Sequence, residues 1–336
     1  MNYEPKVSII IPVYNGANFL RSAIDSALNQ TYPNCEVIVV NDGSKDNGET
    51  EAIALSYGDQ IYFYSKENGG CASALNLGIS KMKGDFFSWL SHDDLYLPDK
   101  ITDQIQAYKQ FGLKDAIVFS GYQVIDNDGN WLEEVMPHQI LEKDGIFDFQ
   151  NNHSACLVSK PLYPLLQGIF HGCALLIPKH LFEQHGHFDE SKITTQDYAL
   201  WFDFLRRVPL IYDQHINVQW RNHPNQNTHT VHSLHIRECN SLWIGFIDTL
   251  TTKEKELLDG SEQQFLKNIH QRLSQTPYDK AKEYAHNLLL KTEPQKSPSL
   301  KSIVITYVKP ITPVFLWSLT RTIYLKIKKI FNRICK

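Results

Sequence analysis

The chain has 336 residues, of which 42% are hydrophobic, and its formal net charge at neutral pH is −4. This length and composition support a folded protein of one or two domains and exclude a disordered or fibrous chain. Its six cysteines are scattered without a C-x-x-C pair, so they indicate neither a structural zinc site nor a disulfide framework. Such cysteine usage is typical of the reducing cytosol.

The first residues, "MNYEPKVSIIIPVYNG", lack the basic region and long apolar core of a signal peptide. No apolar run approaches the ~18–20 residues that a membrane span needs, so we expect a cytoplasmic protein. The charge is unevenly distributed, because residues 301–336 carry eight Lys or Arg and no acid. Removing that tail from the formal total leaves residues 1–300 at −12, and this asymmetry predicts a partner for the tail.

Short β-branched runs alternate with amphipathic helices over the first hundred residues. Strands are predicted at 7–13, 35–40, 61–64 and 85–90, with a helix after each of the first three. This alternation predicts an α/β fold with βαβ units and a Rossmann-like, mostly parallel sheet that has helices on both faces.

The second half of the chain is less regular. A helix after Asp99 leads to predicted strands at "AIVFSGY", "CALLIP", "LIYD" and "NVQWR", with a helix at "DYALWFDFLRR". We interpret residues 123–170 as an insertion over the site. Beyond Thr251 the pattern is polar and helical, with a linker at 291–299. We therefore expect a catalytic domain at 1–250, a helical extension and linker at 251–300, and a tail at 301–336.

Polar segments follow each of the first four predicted strands, namely "PVYNG", "NDGS", "KENGG" and "SHDD". Ligands bind beyond the carboxyl ends of the strands in an open parallel sheet, so these segments predict one site. The chain has no G-x-G-x-x-G and no P-loop signature, which argues against a dinucleotide enzyme and a P-loop NTPase. A metal ion could hold a diphosphate instead, and Asp93 and Asp94 offer the carboxylates that Mg²⁺ or Mn²⁺ prefers. The alternative is that this pair only caps a turn.

Three stretches, "VSIIIPVYNGANFLRSAIDSALNQTYPNCEVIVVNDGS", "ENGGCASALNLGI" and "WLSHDDLYLP", resemble the inverting glycosyltransferases of family 2, which have the GT-A fold. The resemblance covers roughly residues 5–225 and is strongest over 5–100. It implies that a nucleotide-sugar lies along the ends of the first three strands. The implied contacts are Pro12, Val13 and Tyr14 with the base, then Asp42 with the base, and Asn68, Gly69 and Gly70 below the ribose and sugar.

The same resemblance assigns Asp93 to the metal, Mn²⁺ or Mg²⁺, and Asp94 to a neighbouring position in the donor site. The chain departs from the family at Ser91, where many relatives carry an acid, and this leaves Asp93 as the main ligand. His92 is expected to contact the ribose or, alternatively, to face solvent in the turn.

The family takes its general base from an acid at a helix start, and "TTQDYALWFDFLRR" matches that pattern. The resemblance therefore implies that Asp197 is the catalytic base, whereas the alternative is that it only favours the helix dipole. Asp203, on another side of that helix, provides an internal control. Arg221 and His223 resemble a basic pair that covers the diphosphate on a mobile segment, and a structural arginine paired with a surface acid is the alternative.

The tail "PVFLWSLTRTIYLKIKKIFNRICK" has apolar residues at three- and four-residue spacing with Lys and Arg on other sides. This pattern predicts a basic amphipathic helix on the inner face of the cell membrane. A helix packed on the catalytic body is the alternative, and nucleic acid is not expected as a partner because the body is acidic.

Together these features predict a metal-dependent hexosyl- or N-acetylhexosaminyltransferase. We expect it to transfer a sugar from a UDP-sugar to a hydroxyl of a glycan acceptor, possibly lipid-linked, in the biosynthesis of lipopolysaccharide, capsule or another cell-surface polysaccharide. Two alternatives remain from the sequence. A nucleotidyltransferase shares a related fold but needs a basic N-terminal loop that "PVYNGAN" lacks, and a non-catalytic glycan-binding protein would not need Asp42, Asp93 and Asp197 together.

Overall fold

The computed structural model describes residues 4–149, 153–224, 226 and 230–292. Residues 1–287 form one compact unit, and the second unit, residues 288–336, lies almost entirely outside the described residues. The predicted membrane tail at 301–336 and most of the predicted linker are therefore outside the described part, and the predicted division at residue 250 stays a prediction.

One mixed sheet organises the first unit. In chain order its strands are β1 (Val7–Val13), β2 (Cys35–Asn41), β3 (Tyr62–Ser65), β4 (Phe86–Trp89), β5 (Leu95–Tyr96), β6 (Ile117–Ile125), β7 (Trp131–Val135), β8 (Ala155–Leu157), β9 (Leu175–Pro178) and β10 (Leu210–Arg221). The order across the sheet is β3-β2-β1-β4-β9-β6-β10-β5, with β7 beside β6 and β8 beside β10.

Helices connect and cover these strands. In chain order they are α1 (Leu20–Leu28), α2 (Glu49–Leu55), α3 (Cys71–Lys81), α4 (Lys100–Phe111), α5 (Pro137–Ile140), α6 (Leu162–Leu166), α7 (Lys179–His185), α8 (Gln196–Leu205), α9 (His232–Thr249), α10 (Thr252–Asp259), α11 (Glu262–Leu273) and α12 (Asp279–Thr292). The last three confirm the helical pattern predicted beyond Thr251. Among the described residues, no helix is both long enough and apolar enough to cross a bilayer.

The parallel part of the sheet matches the predicted βαβ alternation. β3, β2, β1 and β4 are all parallel, and every residue of β1 is buried. Ile9 and Ile11 belong to the same core cluster as Leu20 of α1, whereas Ile10 lies so close to α3 that a Cβ at Gly78 would be 2.4 Å from its Cγ2. Helices therefore cover both faces, as expected for near-continuous apolar strands. The predicted α/β fold class is confirmed.

Two predictions for the second half need correction. The segments "LIYD" and "NVQWR" are one strand, β10, whose register shifts between Asp213 and Ile216 and again between Ile216 and Val218. The polar residues between the two apolar runs are accommodated as a bulge, which interrupts pairing without ending a strand. Residues 123–170, predicted as an irregular insertion, contain β7 and β8, which extend the sheet by antiparallel pairing.

Candidate active site

The loops that follow β1 and β2 are tied to each other at the carboxyl end of the sheet. The backbone N–H of Asn15 donates to Ser44 Oγ (2.9 Å), and the N–H of Lys45 donates to Asn15 Oδ1 (2.7 Å). Of the three residues predicted to contact the base, Pro12 and Val13 are buried in β1, while Tyr14 is 43% exposed beside these loops. This arrangement leaves the Tyr14 side chain and the backbone at the strand end available to a ligand.

Asp42 organises the turn after β3. Its carboxylate accepts hydrogen bonds from the backbone N–H groups of Gly69 (3.0 Å) and Gly70 (2.7 Å), and from Lys66 Nζ (2.9 Å) and Asn68 Nδ2 (3.2 Å). The predicted donor residues of the second and third loops are thus brought together, with Asp42 only 3% exposed. Its proposed contact with a base stays a prediction.

Glycine is required at this junction. Gly43 has φ +69°, and a Cβ there would lie 2.7 Å from the backbone nitrogen of Asn68, too close for any side chain. The two loops therefore pass each other in direct backbone contact. An open cleft of about 630 Å³ lies beside them, and it is lined by Gly43, Ser44, Lys45, Ser65, Lys66, Glu67 and Asn68.

Asp93 and Asp94 occupy different environments although they are adjacent. Asp93 Oδ2 lies 3.0 Å from His223 Nε2. Burial alone would raise the pKa of Asp93, but the hydrogen bond to His223 and the nearby His92 outweigh it and hold the pKa below its usual value. Asp94 is 2% exposed, and burial together with the charge of Asp93 raises its pKa well above the usual value. The pair avoids repulsion because one member stays charged while its neighbour favours the protonated form.

The carboxyl of Asp94 links three segments of the chain. Its Oδ1 accepts the backbone N–H of Arg221 (2.9 Å), and its Oδ2 accepts the thiol of Cys173 (3.3 Å). Ser91, at the position where the family often has an acid, donates its backbone N–H to Cys173 Sγ (3.3 Å). Hydrogen bonds with β10 and with the segment before β9 therefore hold the turn after β4 in place.

Arg221 has a supporting position in this structure. It is the last residue of β10, it is 5% exposed, and its guanidinium donates to the backbone carbonyls of Asp93, Asp126 and Asn127 at 2.9–3.1 Å. This agrees with a structural arginine more than with one on a separate covering segment, although its partners are carbonyls and not a surface acid. Its contact with a donor stays a prediction.

His92 packs against the loop after β1. A Cβ added at Gly16 would lie 2.3 Å from His92 Cδ2, so the imidazole occupies the space that glycine leaves. Burial lowers the pKa of His92 despite the nearby charge of Asp93, which favours a neutral ring at neutral pH. His92 thus lies in a half-buried turn against the loop after β1, and its contact with a ribose stays a prediction.

Asp197 lies in the first turn of α8, and burial raises its pKa to about 6 although the backbone N–H groups of Asp197 and Tyr198 lower it. A carboxylate with a pKa near neutrality is a suitable general base. Asp203 on the same helix instead pairs with Arg207 at 2.9 Å on the surface. The two acids of α8 thus differ as the sequence predicted.

Glu238 of α9 fixes the segment that leads into α8. Its carboxylate accepts the backbone N–H groups of Ile193 (3.1 Å) and Thr194 (2.8 Å) and the hydroxyls of Thr194 (2.9 Å) and Thr195 (3.4 Å). Burial would raise the pKa of Glu238, but these hydrogen bonds outweigh it and lower the value. An ionised carboxylate therefore anchors the helix that carries Asp197.

Three acids from different parts of the chain act electrostatically on one side chain, the thiol of Cys71. Burial raises the pKa of the Cys71 thiol, at the start of α3, and the negative charges of Asp197, Asp42 and Asp93 raise it further. These three carboxylates come from the second strand, the fourth strand and α8, yet all act on one thiol. The candidate active site is thus a single location at the carboxyl edge of the sheet.

Two groups of side chains among the described residues have metal-ligand geometry. Asp94, His171 and Cys173 offer ligand atoms within 4.8 Å of one another, as do Asp103 of α4 with Asp213 and His215 of β10. Burial and the nearby Asp94 raise the pKa of Cys173 well above its usual value, and a thiol does not suit Mn²⁺ or Mg²⁺. The Asp93 carboxylate, beside the imidazole of His223 and partly accessible, fits a hard divalent cation better.

Sequence reasoning missed several residues of this site. His171, Cys173 and Glu238 have no recognisable motif, since each acts through contacts with residues at least 43 positions away. Cys71 can be associated with the site from the sequence, because it directly follows the Asn68–Gly70 turn and begins a helix.

Comparisons with known proteins identify the family of this chain. A family model described as "Glycosyl transferase family 2" matches residues 8–177. An uncharacterised glycosyltransferase of Rickettsia bellii is 49% identical over 286 residues, covering 85% of this chain but 40% of the relative. Another, from Rickettsia typhi, is 49% identical over 283 residues, covering 84% of each. The chain thus spans less than half the length of the first relative.

Solved structures show the same fold at low sequence identity. S. aureus TarS 1–349 in complex with UDP-GlcNAc has a TM-score of 0.55 at 13% identity, covering 85% of this chain and 88% of that one. The mannosyltransferase PcManGT from Pyrobaculum calidifontis, in complex with GDP-Man and Mn²⁺, has a TM-score of 0.55 at 16% identity, covering 96% and 83%. Both likenesses support the GT-A arrangement of the sheet and helices.

Proposed function

Since this chain belongs to glycosyl transferase family 2, we propose that it is an inverting enzyme that transfers a sugar from a nucleotide-sugar to a hydroxyl of a glycan acceptor. The observation that carries the proposal is that Asp42, which accepts the N–H of Gly70 beside Cys71, and also Asp93 and Asp197 are close enough to act electrostatically on the Cys71 thiol. These acids have distinct environments that suit base recognition, metal binding and proton abstraction. A non-catalytic glycan-binding protein would not need three such environments in one place.

The donor lies, in this proposal, across the carboxyl ends of β1, β2 and β4. The cleft of about 630 Å³ beside Asp42 takes the base and ribose, with the Asn68–Gly70 turn below and Tyr14 in the loop that bonds Ser44 and Lys45 of the cleft through Asn15. A UDP-sugar with a hexose or an N-acetylhexosamine is the donor we favour. Support comes from the relative with a UDP-GlcNAc complex, although its low identity carries only the fold.

Asp93 would hold the divalent cation, Mn²⁺ or Mg²⁺, with His223, 130 positions farther along the chain, beside it. When bound, this cation would offset the negative charge of the diphosphate leaving group. Hydrogen bonds within the protein already position the acidic turn. The guanidinium of Arg221 donates to the backbone carbonyl of Asp93, and the backbone N–H of Arg221 donates to the side chain of Asp94. These bonds fix the backbone that carries the Asp93 carboxylate, and His223 contacts the carboxylate itself.

Asp197 is the proposed general base. It would accept the proton of the acceptor hydroxyl as that oxygen attacks the anomeric carbon and the bond to the nucleoside diphosphate breaks. With a pKa of about 6 the carboxylate is mostly ionised at neutral pH, yet basic enough to take a proton in the transition state. Direct attack from the face opposite the diphosphate inverts the anomeric centre.

We also propose that the protein works at the inner face of the cell membrane in surface-polysaccharide assembly, with an acceptor that is lipid-linked. Only the sequence pattern of residues 301–336 supports this part. Deletion of residues 301–336 is expected to move the protein from the membrane fraction to the supernatant. Unchanged partitioning would contradict membrane binding and leave the catalytic proposal intact.

A donor-hydrolysis panel tests the proposed activity. UDP-, GDP- and dTDP-sugars are incubated with the protein, with Mn²⁺ and with chelator, and nucleoside diphosphate release is measured. We expect release from one nucleotide class, dependent on the added cation. Release of pyrophosphate from a nucleoside triphosphate and sugar phosphate would instead indicate a nucleotidyltransferase, and no turnover with any donor would contradict the proposal.

A further inference from the structure

Three aromatic side chains from separate parts of the chain form a cluster beside the acidic turn. Tyr122 of β6, Trp220 of β10 and His171 have ring centroids 5.1, 5.8 and 6.3 Å apart. We call these three residues the aromatic platform. None of them was predicted from the sequence, and the donor scheme above uses none of them.

The platform residue His171 and its chain neighbour Phe170 contact residues next to the proposed metal ligand and next to the proposed base. His171 Nε2 is 3.9 Å from Asp94 Oδ2, and the charge of Asp93 reaches the imidazole. On the other side, the hydroxyl of Tyr198, next to Asp197, donates to the carbonyl of Phe170 at 2.9 Å. His171 and the adjacent Phe170 are therefore in contact with the acidic turn and with the first turn of α8, respectively.

The platform differs from the aromatic core of the same sheet. Phe119 of β6 and Tyr212 of β10 also contact each other, but they are 1% and 0% exposed and fill the interior. Tyr122, His171 and Trp220 are each only half-buried, and the His171 side chain keeps 19% of its surface exposed. Tyr122 also packs against the hydrophobic core, whereas core packing does not account for the solvent-facing surface that His171 and Trp220 keep beside it.

We propose that the aromatic platform is the acceptor subsite and that it takes an uncharged pyranose, such as a hexose or an N-acetylhexosamine. This inference rests on the proposed function. The C–H face of a pyranose stacks on aromatic rings, and such stacking fixes the direction of the ring hydroxyls. A sugar on the platform would present one hydroxyl toward Asp197. The anomeric carbon of the donor sugar, which that hydroxyl attacks, would be held near Asp93.

Charge determines which sugar fits. Asp93 acts electrostatically on His171, and Asp197 acts on Tyr198, which also interacts with Tyr122, so a uronic acid or a phosphorylated sugar on the platform would bring another negative charge close to these carboxylates. An uncharged ring avoids this repulsion and loses little hydration at its apolar face. The acceptor sugar that contacts the platform is therefore neutral, whatever follows farther along the glycan.

Saturation-transfer NMR with simple glycosides tests the platform. The probes are methyl β-D-glucopyranoside, methyl N-acetyl-β-D-glucosaminide and methyl β-D-glucuronide, each added to the full chain with saturating UDP and Mn²⁺. We expect Trp220→Ala to weaken binding of a neutral glycoside about tenfold, and Trp220→Phe to stay within about threefold of wild type. The glucuronide should bind more weakly than either neutral probe.

Matched controls keep the outcomes distinct. Trp131, 61% exposed on β7, provides the control variant Trp131→Ala, which should bind the glycosides as wild type does. Unchanged binding in Trp220→Ala, no binding of either neutral glycoside to wild type, or equal binding of the glucuronide would each overturn the platform. UDP affinity measured in the same samples separates the two proposals, because a wild-type protein that binds glycosides but no nucleotide would overturn the proposed function instead.

Discussion

The two halves of the sheet contribute to the site in different ways. In the N-terminal half, β3-β2-β1-β4, all strands are parallel, and the site residues lie in the segment directly after each strand. In the C-terminal half, β9-β6-β10-β5, directions are mixed and β10 is bulged. There the site residues come from a helix start, a strand end and loops between them. The donor side of the site is thus formed by short segments directly after the strands. The catalytic side is formed by contacts between residues that are far apart in the sequence.

The halves are joined at the acidic turn. His223 reaches Asp93 across 130 positions of sequence, and Arg221 reaches Asp94 across 127. A change at Asp42 or Asp93 should therefore alter donor or metal binding, while a change at Asp197 or at the segment that positions it should alter the rate with the donor still bound.

The largest expected effect separates the two adjacent aspartates. Asp93→Asn removes the ionised ligand and should lower the cation-dependent rate by ~10²–10³-fold, because a metal supplies several kcal/mol of charge stabilisation. Asp94→Asn should stay close to wild type, because the amide oxygen can still accept the N–H of Arg221 and a group that favours its protonated form is well replaced by an amide. Steady-state rates against Mn²⁺ concentration make the comparison, and equal losses in both variants would contradict it.

A change at Asp42 tests the donor side alone. Asp42→Ala removes four hydrogen bonds to the turn at residues 66–70, so we expect donor KM to rise ~10–100-fold. The rate at saturating donor should change much less. Ser44→Ala, in the same cleft, is the milder control. A fall in kcat with unchanged donor KM would show that Asp42 does not serve the donor.

A positioning change on the catalytic side should be smaller. Glu238→Gln replaces the carboxylate that anchors residues 193–195, and we expect kcat to fall about tenfold with donor affinity unchanged. Glu283→Gln, at an exposed position of α12, should have no effect. Equal kcat in both variants would remove Glu238 from the account, and a parallel loss of UDP binding would indicate a general structural role.

The smallest effect concerns stability. The folded state raises the pKa of Asp197 to about 6 from an ordinary 3.8, so between these values it keeps a proton that the unfolded chain releases. Stability contributed by Asp197 therefore falls as pH rises through this window. Asp197→Asn should be more stable than wild type at pH 7.5, by up to ~3 kcal/mol, and the difference should vanish below pH 4. Urea unfolding at both pH values checks this, and a pH-independent difference would contradict it.

Much of the donor side could be predicted from the sequence because its signals are local. β1 has the predicted bounds, and the turns containing Asp42, Asn68 and Asp93 were recognised from short motifs at strand ends. The different environments of Asp93 and Asp94 could not be foreseen, since Arg221, Cys173 and His223 create them from distant positions. The continuity of β10 was missed because a bulge and a turn have similar polar composition.

The central claim is that Asp197 from the C-terminal half acts on a donor held by the N-terminal half. The most direct measurement compares transfer and donor affinity in Asp197→Asn, with Asp203→Asn on the same helix as control. The account predicts that Asp197→Asn loses ~10³-fold in transfer rate while its donor Kd stays within about twofold, and that Asp203→Asn retains both. Retained transfer in Asp197→Asn, or a loss of donor binding equal to the loss of rate, would contradict the account.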